Sequence, residues 1–155
     1  MRFSKEDLSL SKLNIRQKKL SGSAQIFLPE GSIDSASAED LRQKLTEVFE
    51  KDACHILIDM GSVKYLSSMG LGAIISLMHK AKELGTSFAL YDTQVPVKRV
   101  LQISRLDFLE LNPENLKSSD TFGEYILSEE PQRKKLRESR ETEKNKREAE
   151  LSKKK

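Results

Sequence analysis

Between His55 and Leu84 the chain changes its apolar pattern once, and the change is made at two adjacent serines. His55-Ile56-Leu57-Ile58-Asp59-Met60 is a short, almost unbroken apolar run. A run of that length suits a central strand covered on both faces. Leu71, Ile74, Ile75, Leu77, Met78, Ala81 and Leu84 instead form a wide stripe at helical spacing, and Gly85 is a natural stop. Between the two lies Ser67-Ser68-Met69-Gly70-Leu71-Gly72. Serine is a favoured N-cap, and the first turn of a helix leaves backbone N–H groups without partners. Those groups, together with the helix dipole, accommodate a phosphate. The segment reads as a helix start and as a candidate phosphoserine switch.

The flanking chain repeats the alternation. Leu13 to Lys19 is an irregular strand pattern, Ser21-Gly22-Ser23 is turn chemistry, and Ala24 to Pro29 reads as a second strand ended by proline. Together they predict a hairpin. Gly31 to Ser35 reads as a loop rich in helix caps. Ala38, Leu41, Leu45, Val48 and Phe49 mark one face of a helix from about Ala36 to Lys51. Ser87 to Tyr91 is another strand, and Val95 to Ile103 a short helix with Pro96 in its first turn. Leu106, Phe108, Leu109 and Leu111 suggest a short closing strand, and Thr121 to Leu127 a last helical turn or two. The order ββαβαβα predicts an α/β domain over residues 8–128, with a mixed sheet of four to five strands and at least one parallel pair.

Residues 129–155 differ. Of the chain's 27 basic and 24 acidic residues, eleven and five fall in 131–155, a local net of +6 that leaves −3 for the rest. Leu136, Ala149 and Leu151 are the only apolar residues there, too few for an apolar heptad seam. The expectation is a mostly disordered tail with transient helix. Its interleaved glutamates and lack of aromatics argue for solvation over direct contact with nucleic acid or anionic lipid.

Reaction chemistry is hard to find. Cys54, the single cysteine, reads as a small buried hydrophobe. His55 and His79 are 24 residues apart with no second ligand near either, so no metal is expected. No Ser/His/Asp or Cys/His set can be assembled. Gly70 and Gly72 suit close helix–strand packing, since no P-loop lysine follows them. Asp59 reads as a strand-end hydrogen-bond acceptor. Asp34 stays open between loop cap and binding residue. No catalytic residue and no cofactor is expected, so the chain is not expected to be an enzyme. No run of about 18 apolar residues spans a membrane. The charged start, Met1 to Asp7, does not suit a signal peptide, which makes a cytoplasmic protein the expectation.

Four motifs in order carry a family resemblance. They are Gly31-x-x-Asp34, Ile58-Asp59, Ser67-Ser68-x-Gly70-Leu71-Gly72 and Pro96-Val97-Lys98-Arg99-Val100-Leu101. Across about residues 10 to 128 the chain resembles the STAS domain, and within it the anti-sigma-factor antagonists of bacteria. The resemblance implies a protein that binds an anti-sigma factor which is also a serine kinase. Phosphorylation ends that binding, and a serine phosphatase resets it. The family motif is Asp-Ser-Ser-Gly-Leu-Gly, with its first serine modified. Aligned on Gly70-Leu71-Gly72, the modified residue is Ser68, with Ser67 a competing acceptor. The family's Asp falls on Ser67 and its second serine on Met69. The implied partner surface comprises Asp34, Ser67, Ser68, Met69, Gly70 and Leu71, on a monomer. Two other readings compete: a STAS-type scaffold or sensor subunit that is never phosphorylated, and a small-molecule or nucleotide-binding enzyme.

Overall fold

The computed structural model describes residues 13–153. The first five residues of the expected domain, 8–12, and the charged start, 1–7, lie outside them. The chain divides after Asn112 into two compact units.

The first unit is built on a five-stranded sheet. Strands β1 (Asn14–Leu20) and β2 (Ala24–Ile33) form the expected antiparallel hairpin, with Leu20 opposite Ala24. Helix α1 (Ser35–Lys51) leads to β3 (His55–Asp59), which pairs with β2 in parallel. Strand β4 (Val63–Leu66) follows, then α2 (Ser68–Glu83), β5 (Phe88–Tyr91) and α3 (Val95–Ile103). β5 pairs in parallel with β3, and β4 in parallel with the far end of β2. The buried apolar faces of α1, α2 and α3 share one core with Phe27, Ile33, Ile56, Ile58 and Leu90. His55 and Ser87 tie the starts of β3 and β5: the Ser87 N–H donates to His55 Nδ1 at 3.0 Å.

Three expectations are corrected here. Pro29 does not end β2, which runs on to Ile33. Its missing donor falls between the stretch paired with β3 (24–27) and the stretch paired with β4 (31–33), where no parallel partner needs it. Val63–Leu66, to which the sequence pattern assigns no element, is a strand, which makes the order ββαββαβα. Four residues with two exposed in the middle give no clear alternation, and the pairing is set by β2 instead. The ladder slips between Gly31 and Ser32, and Gly31 sits at φ +105°, a conformation that favours glycine. The apolar cluster after α3 is a 3-10 turn at Asp107–Leu109, with one parallel bridge from Glu110 to Leu90.

The second unit opens with a 3-10 turn at Pro113–Asn115 and is dominated by α4 (Gly123–Lys153). The expected boundary at residue 128 falls inside this helix, and the segment expected to be mostly disordered is helical. Its composition explains the difference. Lys, Arg and Glu are good helix formers, and Glu129–Arg133 makes an ion pair at 3.3 Å one turn apart. Pro131 sits within the helix but is exposed. No helix of the described residues is long and apolar enough to cross a membrane.

Candidate functional site

β2 and β4 end side by side, and each feeds a helix. Ile33 is opposite Leu66 in the parallel pair, and the Ser67 N–H donates to the Ile33 carbonyl at 2.9 Å. The starts of α1 and α2 therefore lie next to each other. Two positive helix ends and the loop carrying Asp34 converge there.

Asp34 is the N-cap of α1. Its carboxylate accepts from the Ala36 N–H at 3.1 Å and the Ser37 N–H at 3.0 Å. The Asp34 N–H in turn donates to Ser37 Oγ at 2.9 Å, which closes a capping box. The Ser37 N–H, then its hydroxyl, holds the Asp34 carboxyl below its ordinary range. The capping reading of Asp34 thus holds, and the residue borders the start of α2 through Ile33.

The two serines separate cleanly. Ser67 is the N-cap of α2, and its Oγ accepts from the Gly70 N–H at 3.0 Å. Ser68 is the first helical residue. Its side chain is exposed and makes no hydrogen bond among the described residues. Met69 beside it is 60% exposed, and Tyr65, three residues before Ser68, is 53% exposed. Tyr65 was not singled out from sequence. Its neighbours Val63 and Leu66 are core, and only the register of β4 turns it outward.

Gly70 is buried, because α2 begins almost against β2. A Cβ there would lie 2.7 Å from the Ile33 carbonyl oxygen and 2.7 Å from Leu66 Cδ1. Gly70 positions the site and presents no side chain to it. Leu71 is half-buried and packs on the core. Gly72 departs from the close-packing expectation: it is exposed, and a Cβ there would meet nothing within 4 Å.

The remaining candidates serve the fold. Buried Asp59 accepts from the Gly61 N–H at 3.0 Å. The Gly61 carbonyl accepts from Gln94 Nε2 at 2.8 Å, which fixes the start of α3 against the β3–β4 turn. Cys54 is buried, burial pushes its thiol pKa up, and Gln25 Nε2 reaches its sulfur at 3.5 Å. His79 is exposed on α2.

The chain matches the STAS domain family over residues 16–122. It belongs to that family. BtrV of Bordetella bronchiseptica, named for an anti-sigma factor antagonist role, is 27% identical over 84 residues, covering 54% of this chain and 71% of that one. The anti-sigma F factor antagonist of Paenibacillus polymyxa is 27% identical over 77 residues, 49% of this chain and 66% of that one. Among solved structures, the anti-sigma factor antagonist SpoIIAA in its unphosphorylated form superposes with a TM-score of 0.59 at 17% identity. That match covers 63% of this chain and 86% of the other. The phosphorylated form of SpoIIAA, from Bacillus, gives a TM-score of 0.54 at 17% identity, covering 63% of this chain and 89% of the other. At that identity the likeness to SpoIIAA establishes the fold, a STAS-like α/β sheet with helices.

Proposed function

We propose that this STAS chain is an anti-sigma-factor antagonist working by partner switching in the cytoplasm. Unmodified, it binds an anti-sigma factor that is also a serine kinase. Phosphorylated at Ser68, it lets that partner go, and a serine phosphatase restores it. The observation that carries the proposal is the division of labour between the serines. Ser67 holds the helix start, so Ser68 is exposed and spare. A phosphate on Ser68 adds about −1.5 to −2 charges at neutral pH beside unpaired N–H groups and a favourable dipole. The fold bears that charge, whereas a partner seated on it does not. Burying such a charge in an interface without a cation costs several kcal/mol, enough to dissolve a micromolar complex. Two relatives named as antagonists support the role.

The surface proposed for the partner is Ser68 and Met69 at its centre, with Asp34, Ser67 and Leu71 at its edge and Gly70 setting its height. Tyr65 joins it on exposure. A second reading has one observation in its favour. Met69 stands where the family has serine, and its exposed apolar side chain suits constitutive contact in a scaffold or sensor subunit. Phosphosite mapping on protein isolated from its native cells separates the two. Phosphate on Ser68 supports switching, and an unmodified Ser68 under all growth conditions supports the scaffold.

A further inference from the structure

α4 carries a charge pattern that the proposed switch does not use. Arg133, Arg137, Arg140, Lys144, Arg147 and Leu151 follow one another at intervals of 4, 3, 4, 3 and 4 residues. That is the spacing of the a and d positions of a coiled coil, so these side chains share one face of the helix. Ile126, one heptad before Arg133, lies on the same face and is buried. At the same spacing Glu130 falls between them, so the seam is apolar, then acidic, and basic from Arg133 to Arg147. Glu138, Glu141, Glu143, Glu148 and Glu150, the acidic residues of 133–153, all lie off it. At 3.6 residues per turn, Glu141 and Glu148 border the seam on one side and Glu143 and Glu150 on the other. Arg133 and Arg137 bond Glu129 and Glu130 within the helix. Arg140, Lys144 and Arg147 are exposed and make no ion pair among the described residues. Leu151 is 64% exposed.

The three rows decide what fits. A second copy of α4 would set basic side chain against basic side chain from Arg133 to Arg147. A nucleic-acid groove would bring both glutamate borders against its phosphate walls. An anionic bilayer would meet the same borders, and Leu136 and Leu151, both exposed but 15 residues apart, give little apolar surface to insert. A partner helix with an acidic seam between basic borders complements all three rows at once. We propose that α4 is a docking helix for a protein whose own helix presents Asp or Glu at 4-3 spacing, flanked by Lys or Arg. This interaction is separate from the one at Ser68.

The test uses the full chain and a synthetic helical peptide about three heptads long, with glutamate at every a and d position and lysine at e and g. Fluorescence anisotropy at low and physiological salt compares it with a scrambled peptide of the same composition, a short DNA duplex and phosphatidylglycerol vesicles. The designed peptide should bind more tightly than all three. The triple substitution Arg140→Gln, Lys144→Gln, Arg147→Gln should weaken binding about tenfold, each exposed contact contributing roughly two- to threefold. The triple substitution Lys134→Gln, Lys135→Gln, Lys146→Gln removes the same charge off the seam and should change affinity less than about threefold. Circular dichroism checks that both variants stay helical. Equal loss in the two variants, equal binding of the scrambled peptide, or tighter binding of DNA or vesicles would overturn the proposal.

Discussion

Ser67 and Ser68 are neighbours with different work, and single substitutions separate them. Ser67→Ala removes the cap on Gly70 and should cost about 1 kcal/mol of stability in chemical denaturation. Ser68→Ala should change stability by no more than about 0.5 kcal/mol. It should abolish phosphorylation in a kinase assay and leave partner binding permanent. The glycines give a second contrast. Gly70→Ala drives a Cβ towards a backbone oxygen that no rotamer change can move, and should destabilise by about 1–3 kcal/mol. Gly72→Ala fills open space in a helix and should stabilise by roughly 0.5–1 kcal/mol. The family motif sets Ser68 apart from Ser67, whereas Gly70 and Gly72 read alike as packing residues. The distinction between the glycines depends on the approach of α2 to Ile33, a tertiary contact that no local pattern encodes.

At the scale of elements, the two helix starts are held by different chemistry. The Asp34 carboxyl titrates below its ordinary value of 3.8 because Ser37 bonds its charged form. The stability it contributes is complete above that ordinary value and fades as pH falls through the lower folded-state value. Asp34→Ala should therefore lower Tm at neutral pH, and the gap from the unsubstituted protein should narrow in acid; a gap that stays constant with pH would remove the carboxylate from the account. Helices α1 and α2 were legible because their apolar periods are long and regular, and strand β3 because its short apolar run is almost unbroken. Strand β4 was not, since its four residues owe their conformation to β2. Pro29 misled because proline is rare inside a central strand, and here its missing donor falls where β2 changes partner. The tail misled differently. Burial was the criterion for order, while α4 draws on helix propensity and ion pairs along its own surface.

At the scale of the whole molecule, the proposals at Ser68 and on α4 are independent. Deleting residues 131–155 should leave affinity for the anti-sigma factor kinase nearly unchanged, while Met69→Lys weakens it by placing a charge in an apolar contact. Loss of binding on deletion with tolerance of Met69→Lys would move the interface away from α2. The central claim is that one charge at Ser68 governs the complex. With a screening length of about 8 Å at physiological salt, that charge acts only from within or beside the interface. The direct measurement is titration calorimetry of the kinase with the unmodified protein and with protein phosphorylated at Ser68 alone. The account predicts that phosphorylation weakens binding at least about a hundredfold, the equivalent of roughly 2.8 kcal/mol. Equal affinity for the two forms would contradict it.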